Sequence, residues 1–278
     1  MQNAGIAALD LNWRYLAFDV HPDNLRAAIE GARALRFIGL NLTVPHKLLA
    51  LEVVDALDDS ARTWGAVNTI RFEARDAKSR WRPLAQFAGQ VPEDIRTVGF
   101  NTDSDALARA LLEDLDLPRL NGVTVLLLGS GGAGRVAALR LAAEGVGGLF
   151  LINRTESKAK EIAAEIHERF PQRQVTVGYP NHAVDLVINA TPLGLQPEDQ
   201  LPFDEKQFSL RQARAVYDLI YRPAETPLLK AARAAGCRAA NGLGMLLYQG
   251  AKALEIWSGK TAPIQEMRRA LEKEVYGR

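Results

Sequence analysis

The chain has 278 residues, which is near the upper limit for a single hydrophobic core, so we expect two domains. Its 34 basic and 33 acidic side chains leave a formal net charge of +1, which excludes the global positive field typical of proteins that bind nucleic acid or acidic membranes. No apolar run approaches the roughly 18 residues of a membrane-spanning helix, and the start lacks a basic-then-apolar leader. The single cysteine, Cys237, cannot form an internal disulfide, which is typical of a reducing compartment. We therefore expect a soluble, cytoplasmic protein.

Strands and helices alternate through the first half of the chain. We predict strands at residues 13–20, 37–42, 66–72 and 95–100, and helices at 22–35, 47–57 and 104–114. Alternation of this kind indicates a parallel sheet with crossover helices. Residues 73–92 are rich in Arg, Asp, Gln and Pro and have no period, so we expect a surface insertion there.

The second half begins with residues 123–128, VTVLLL, a continuous apolar run typical of a strand that is buried on both faces. Further strands are predicted at 149–153, 174–177, 186–189, 215–219 and 237–240. Helices are predicted after the glycine-rich turn up to residue 144, and at 156–170, 243–257 and 264–275. This pattern is typical of a doubly wound dinucleotide-binding fold.

A glycine-rich turn joins the first of these strands to its helix. It matches the pattern GxGxxG and consists of Gly129, Ser130, Gly131, Gly132, Ala133 and Gly134. Glycines are needed here for a tight turn, for backbone approach to a pyrophosphate and for close packing of helix on strand. The helix N-terminus offers free N–H groups to the phosphates. The strand–turn–helix context favours dinucleotide binding over a merely tight turn.

The end of the next strand indicates which dinucleotide is bound. NAD-binding folds usually carry an acidic residue there for the ribose 2′-hydroxyl. This chain instead carries Asn153, Arg154 and Thr155, with Lys158 one turn further on. A guanidinium can bind a 2′-phosphate that a carboxylate would repel. We therefore predict NADP, the alternative being that Arg154 and Lys158 only decorate a solvated helix start.

Three polar clusters interrupt the first half where strands should end: residues 41–47, 65–69 and 99–103. Since ligands of open α/β sheets bind at strand carboxyl ends, Lys47 and Asp103 are candidates for one crevice. Reduction of a ketone by hydride creates an alkoxide, which a lysine can both stabilise and protonate. A neighbouring carboxylate would position that lysine. The spacing alone leaves open a surface lysine at a helix start and an aspartate that caps a helix.

Eight sequence blocks between residues 41 and 251 resemble, in order, the signature blocks of the shikimate dehydrogenase family. The blocks are NLTVPHK, GAVNT, GFNTD, GSGGAGR, NRT, INATPLG, YDLIYRPAETPLL and NGLGMLLYQGA. The resemblance implies a two-domain α/β fold: an N-terminal α/β substrate domain with a mostly parallel sheet, and a Rossmann-type NADP-binding domain. It places the substrate domain at 1–102, joined by C-terminal helices 242–278, and the NADP domain at 103–241. The implied reaction is the reversible, NADPH-dependent reduction of 3-dehydroshikimate to shikimate, a step of aromatic amino acid biosynthesis.

The resemblance also implies roles for individual residues. Lys47 and Asp103 would be the catalytic pair, and Thr43, Asn68, Asp103, Tyr221 and Gln249 would contact the substrate. The glycine turn would hold the pyrophosphate, and Asn153, Arg154, Thr155 and Lys158 the 2′-phosphate. The nicotinamide would lie near Ala190, Thr191, Ile220, Gly242 and Met245. No metal is implied, and family members occur as monomers or homodimers.

The chain departs from the family pattern at its start, where the pattern has a strand and a Ser-x-Ser-Pro motif that binds the substrate carboxylate. Here the sequence begins Met1-Gln2-Asn3-Ala4, so about the first 20 residues of the pattern are missing, and we expect a misassigned start or a truncated chain. Two alternatives to the biosynthetic enzyme stay open. One is a dehydrogenase of quinate or an aminated analogue, and the other is a non-catalytic truncated homologue that binds dinucleotide.

Overall fold

A computed structural model describes residues 1–277, which divide into two compact units with one sheet each. Unit 1 comprises Met1–Asp103 and Gln249–Leu271, and unit 2 comprises Ser104–Tyr248 and the stretch that begins at Glu272. The C-terminal helices therefore return to unit 1 from Gln249 to Leu271. None of the helices within residues 1–277 is long and apolar enough to cross a membrane.

Unit 1 is built on a five-stranded sheet. Its elements before residue 103 are α1 (Gln2–Ala8), α2 (Leu25–Ala34), β1 (Gly39–Asn41), α3 (His46–Leu49), β2 (Ala56–Leu57), α4 (Asp59–Trp64), β3 (Thr69–Arg75), β4 (Trp81–Pro83) and β5 (Ile95–Phe100). The strand order is β1-β3-β5-β2, with β4 paired to β3. Its core lies under α2 and contains fully buried Ile29, Ile70 and Phe72.

The prediction of a mostly parallel sheet in this half is wrong. Only β2 and β5 pair in parallel, whereas β3 is antiparallel to β1, to β4 and to β5. The reason lies in the connection from β3 to β5, which runs through the β4 hairpin without a long helix. Strands joined in this way have no crossover and become antiparallel neighbours. The segment predicted to be a surface insertion therefore extends the sheet.

The predicted strand at residues 13–20 is also wrong. The segment shows period-two burial, with Trp13 and Tyr15 partly buried and Arg14 and Leu16 exposed, but no strand among residues 1–277 pairs with it. The side-chain amide of Asn3 instead accepts from the Tyr15 N–H at 2.8 Å and donates to the Tyr15 carbonyl at 3.0 Å. An alternating pattern indicates which face is buried, but a strand also needs a partner backbone.

The predicted helix at 47–57 is short in the structure. It ends after one turn, passes through a 3₁₀ turn at Ala50–Glu52 and becomes strand β2. Asp55 and Thr97 explain the change, because the Asp55 N–H donates to the Thr97 hydroxyl at 2.9 Å and the Thr97 N–H donates to the Asp55 carboxylate at 2.7 Å. This reciprocal pair, formed across long sequence separation, competes with the helix.

Unit 2 has a six-stranded sheet that is parallel throughout. From residue 103 onward the chain forms α5 (Asp103–Asp114), β6 (Thr124–Leu128), α6 (Gly132–Glu144), β7 (Gly148–Ile152), α7 (Glu156–Arg169), β8 (Val175–Val177), β9 (Val184–Asn189), β10 (Ala213–Asp218), α8 (Pro227–Ala234), β11 (Arg238–Asn241), α9 (Leu243–Ser258) and α10 (Ile264–Tyr276). Of these, α9 and α10 also contribute residues to unit 1. The strand order is β11-β10-β9-β6-β7-β8. The order reverses between β6 and β9, which is where doubly wound folds bind ligands. The Rossmann-type prediction for this half is confirmed.

Helix α9 contributes its second half to unit 1. The indole N–H of Trp257 donates to the Ile70 carbonyl at 2.9 Å, and Trp257 lies against Gly39 of β1. A Cβ at residue 39 would lie 2.7 Å from the Ile70 carbonyl oxygen and would overlap the indole ring, so the close approach requires glycine.

Candidate active site

Lys47 and Asp103 form an ion pair in unit 1. The Lys47 Nζ lies 2.8 Å from Oδ2 of Asp103, although 56 positions separate the two residues. Lys47 lies on α3, and Asp103 begins α5, three positions after the last residue of β5. Their side chains are 29% and 11% exposed, so the ammonium is reachable while most of the carboxylate is covered.

Asn68 fixes the carboxylate of this pair. Its Nδ2 donates to Oδ1 of Asp103 at 2.9 Å and to the hydroxyl of Thr102 at 2.9 Å. Its Oδ1 accepts from the Thr102 N–H at 2.8 Å. Asn68 is 1% exposed, directly before β3, and its own N–H donates to the Phe100 carbonyl. Both oxygens of Asp103 are therefore held by separate donors, which leaves the Lys47 ammonium in one defined position.

A chain of hydrogen bonds continues from Asn68 to the segment before α2. The Asn41 amide donates to the Thr69 hydroxyl at 3.0 Å, and the Tyr15 hydroxyl donates to Oδ1 of Asn41 at 3.0 Å. Burial raises the pKa of Tyr15 further above its ordinary value, so the hydroxyl is protonated and donates this hydrogen bond. Sequence reasoning missed Tyr15, Thr102 and Asn41 as members of the site. Asn41 and Thr102 lie inside the recognised polar clusters, whereas no sequence signal indicated Tyr15.

The other predicted substrate residues lie on three different segments of the chain. Thr43 is exposed in the loop before α3, where its carbonyl accepts from the His46 N–H at 2.8 Å. Gln249 is partly buried on the part of α9 that belongs to unit 1. Tyr221 follows β10 in unit 2 and is 37% exposed.

The glycines at the junction of β6 and α6 differ in how much space surrounds them. Gly129 has φ +103°, and a Cβ there would lie 2.8 Å from the Ala190 carbonyl oxygen. A Cβ at Gly134 would overlap the Gly129 carbonyl, so helix and strand end pack backbone to backbone. Gly131 and Gly132, by contrast, have no atom within 4 Å of a Cβ position, and both are exposed with Ala133.

This turn therefore has the features of a phosphate cradle. Strain and close packing account for Gly129 and Gly134, whereas the open face at Gly131 and Gly132 fits a group that must approach the backbone at the start of α6. The Ser130 N–H donates to Oδ1 of Asn153 at 3.0 Å, which ties the turn to the end of β7.

The end of β7 presents positive charge. Asn153 also donates from Nδ2 to the Thr155 carbonyl at 2.8 Å, and it thereby shapes the loop that carries Arg154. Arg154 and Lys158 are exposed, and neither forms an ion pair with a residue in 1–277, while the nearby Glu156 is paired with Lys160 at 2.7 Å. Two cations without an ion-pair partner among residues 1–277, beside a carboxylate that Lys160 neutralises, fit a ribose 2′-phosphate.

The remaining predicted cofactor residues lie at the carboxyl ends of β9, β10 and β11. The Ala190 N–H donates to the Leu128 carbonyl at 2.7 Å, and the Gly242 N–H donates to the Ile220 carbonyl at 3.1 Å. Thr191 follows Ala190, and its hydroxyl donates to Oδ1 of Asn189 at 2.7 Å. Met245 lies in the first turn of α9, where its N–H donates to the Tyr217 hydroxyl at 3.3 Å.

The surroundings of Cys237 favour a role in packing and not in catalysis. Its thiol is buried and donates to the carbonyls of Leu210 and Ala213 at 3.2 and 3.3 Å. Burial raises the pKa of the Cys237 thiol, which disfavours the reactive thiolate.

Three protein-family models match separate parts of the chain. The shikimate dehydrogenase substrate binding domain matches residues 1–70, the shikimate / quinate 5-dehydrogenase family matches residues 110–192, and the shikimate 5'-dehydrogenase C-terminal domain matches residues 242–272. Among curated proteins, an NADP(+) shikimate dehydrogenase from Desulforamulus reducens is 40% identical over 99% of this chain and 90% of its own length.

Two solved structures resemble the chain over nearly its full length. A shikimate dehydrogenase crystallised in complex with NADP+ superposes with a TM-score of 0.82 at 33% identity, over 98% of this chain and 89% of its own. A ligand-free 5-ketofructose reductase of Gluconobacter sp. strain CHM43 superposes with a TM-score of 0.78 at 31% identity, over 98% of this chain and 92% of its own.

Proposed function

Because the chain belongs to the shikimate dehydrogenase family, we propose that it catalyses the reversible reduction of 3-dehydroshikimate to shikimate with NADPH. The observation that carries the proposal is the Lys47–Asp103 pair, with the carboxylate held by buried Asn68. The family resemblance assigns these residue types at these positions to catalysis, and their geometry supports acid–base chemistry at a ketone.

Lys47 acts on the oxygen of the reacting carbonyl. When bound, NADPH supplies the hydride that the carbonyl carbon accepts. The oxygen then takes on negative charge, which the ammonium of Lys47 stabilises before donating a proton to it. The products are the secondary alcohol and a neutral lysine, which regains its proton from water. Asp103 holds the Nζ in place at 2.8 Å and stabilises the ammonium in the resting state.

The dinucleotide is held by unit 2 in this proposal. The turn at Gly129–Gly134 and the start of α6 bind the pyrophosphate, with Ser130 and Ala133 in the same turn. Arg154 and Lys158, with Asn153 and Thr155, bind the 2′-phosphate and select NADP over NAD. Ala190, Thr191, Ile220, Gly242 and Met245 border the nicotinamide.

Unit 1 holds the substrate ring in this proposal. Thr43, Asn68, Asp103 and Gln249 bind its hydroxyl groups, and Tyr221 is a further residue assigned to the substrate. We also propose that residues 1–102 with 242–278 act as the substrate domain, and residues 103–241 as the NADP domain. The exposed cations at residues 154 and 158 support NADP as the cofactor.

Steady-state rates of oxidation test the proposal. Shikimate and quinate are each assayed with NADP+ and with NAD+, and the reduction of 5-ketofructose by NADPH is assayed beside them. We expect the highest kcat/KM for shikimate with NADP+. A preference for quinate with NAD+, or for 5-ketofructose, would refute the proposed substrate, and dinucleotide binding without any turnover would favour a non-catalytic protein.

A further inference from the structure

Asp218 is a fully buried carboxylate at the end of β10, with 0% of its surface exposed. Its Oδ1 accepts from the Asn189 amide at 3.0 Å and from the Ile220 N–H at 3.1 Å, and its Oδ2 accepts from the Thr226 hydroxyl at 2.7 Å. No Lys, Arg or His among residues 1–277 forms an ion pair with it. A buried carboxylate that has only neutral donors opposes folding, because its desolvation is not offset by a cation.

The direction of the pKa shift agrees with this cost. Burial raises the pKa of Asp218, against the opposing effect of its three donors. Since the folded pKa lies above the unfolded value, the folded state binds this proton more readily, and the contribution of Asp218 to stability falls as pH rises through the raised pKa. Folding therefore disfavours the charged form of this carboxylate, so its presence calls for a role other than stability.

The partners of Asp218 shape two loops. Asn189 is 0% exposed at the end of β9; its Oδ1 accepts from the Thr191 N–H at 3.0 Å and its Nδ2 donates to the Leu193 carbonyl at 3.0 Å. Thr226 closes the loop after β10, and its hydroxyl accepts from the Leu229 N–H at 3.2 Å in the first turn of α8. One carboxylate thus joins the 190–194 loop to the 219–226 loop.

The two loops also touch each other. A Cβ at Gly194 would lie 3.2 Å from the Thr226 side chain and 3.4 Å from that of Ile220. Gly194 has φ +117°, so the tip of its loop is fixed in a conformation that favours glycine. The two loops are therefore joined both by this contact and by the hydrogen bonds to Asp218.

These loops carry one half of the proposed dinucleotide site. Ala190 and Thr191 lie in one loop, and Ile220 lies in the other, next to Tyr221, which is assigned to the substrate. The glycine turn and Arg154, which would bind the phosphates and adenosine, follow β6 and β7 and make no hydrogen bond to Asp218. Substitution of Asp218 should therefore weaken binding at the nicotinamide end and leave binding at the adenosine end unchanged.

We propose that Asp218 is a positioning residue that holds the 190–194 and 219–226 loops in the arrangement needed at the nicotinamide end of the dinucleotide and at the substrate. The proposal rests on the proposed function above for what these loops contact. Asp218 acts through Asn189, Ile220 and Thr226 and touches neither the substrate nor the dinucleotide.

Two ligands separate the two ends of the site. Adenosine 2′,5′-bisphosphate probes the glycine turn and Arg154 alone, whereas NADPH probes the whole site. In Asp218→Asn we expect the affinity for NADPH and kcat to fall about tenfold, because the Thr226 hydroxyl loses its charged acceptor. The affinity for the bisphosphate should stay within about twofold of the unsubstituted protein.

Matched variants make the test specific. Thr226→Val should reproduce the effect of Asp218→Asn, and the double variant should lose no more than either single variant. Thr226→Ser keeps the hydroxyl and should restore kcat. Asp185→Asn makes the same carboxylate-to-amide change near the other end of β9, where Asp185 accepts from the Thr124 N–H at 2.9 Å, and it should leave both affinities and kcat unchanged.

Three results would overturn the proposal. They are unchanged kcat and NADPH affinity in Asp218→Asn, a parallel loss of affinity for NADPH and for the bisphosphate, and no recovery in Thr226→Ser. If the unsubstituted protein binds both ligands but does not turn over shikimate, the proposed function fails, and the comparison of the two affinities decides the role of Asp218 by itself.

Discussion

Gly131 is the N-cap of α6 and Gly134 lies in the first turn of the same helix, and alanine substitutions at the two positions should have different consequences. At Gly134 the added methyl would overlap the Gly129 carbonyl oxygen and lie 2.8 Å from its carbonyl carbon. At Gly131 it would meet no atom within 4 Å, and the backbone there (φ −78°, ψ −173°) is one that alanine adopts freely.

The magnitudes follow from what each methyl group meets. Overpacking costs about 1–3 kcal/mol, and Gly134→Ala should lie near the upper end because the obstacle is backbone that cannot rotate away. Gly131 is the N-cap of α6, so Gly131→Ala should cost from a few tenths to about 1 kcal/mol through loss of a better capping residue. At about 2–4 °C for each kcal/mol, the two variants differ measurably in Tm.

Gly131→Ala, the less destabilising of the two substitutions, should nevertheless weaken dinucleotide binding. In Gly131→Ala the methyl group occupies the space that we assign to the pyrophosphate, so the affinity for NADPH should fall at least about tenfold while the protein stays folded. The assays are thermal unfolding without ligand and titration of NADPH fluorescence. Normal NADPH affinity in Gly131→Ala, or normal stability in Gly134→Ala, would refute the reasoning.

Three further predictions concern the cofactor, the catalytic carboxylate and the core. Arg154→Ala should raise the KM for NADPH about tenfold or more and leave that for NADH unchanged, and equal effects on both in steady-state kinetics would contradict a 2′-phosphate site. Asn68→Ala should lower kcat about tenfold or more and leave the affinity for NADPH unchanged, because the Asp103 carboxylate loses one of its donors. An unchanged kcat would contradict a role of Asn68 in catalysis. Gly39→Ala should destabilise the protein by about 1–3 kcal/mol in chemical denaturation, because its methyl would overlap the indole of Trp257. The control Gly31→Ala, in α2 with open space around it, should instead stabilise by up to about 1 kcal/mol.

Local patterns in the sequence predict unit 2 well. The turn from Gly129 to Gly134 is identified by its own residues, since an apolar strand precedes it and a helix follows it. The buried parallel strands also follow from local composition, because a strand such as β6 that is buried on both faces is apolar throughout. Lys47 and Asp103 are different, because residues 56 positions apart become candidates for one crevice only through an assumed sheet. The family resemblance was needed to pair them.

The features that could not be predicted depend on long-range partners. Burial does alternate at residues 13–16, but nothing in the sequence indicates that the Asn3 side chain replaces a strand neighbour of Tyr15. The antiparallel pairing of β3 and β5 depends on a hairpin in a segment without periodicity. Asp218 has no local signal of burial, since its three donors come from positions 189, 220 and 226.

The most direct test of the central claim compares the unsubstituted protein with Lys47→Ala in the oxidation of shikimate by NADP+, with the affinity of both for NADPH measured alongside. We expect turnover in the unsubstituted protein, a kcat lower by about 10²- to 10⁴-fold in Lys47→Ala, and equal NADPH affinities. Undiminished turnover in Lys47→Ala would contradict the assignment of the lysine as the proton donor, and the absence of turnover in a folded, NADPH-binding unsubstituted protein would contradict the proposed activity itself.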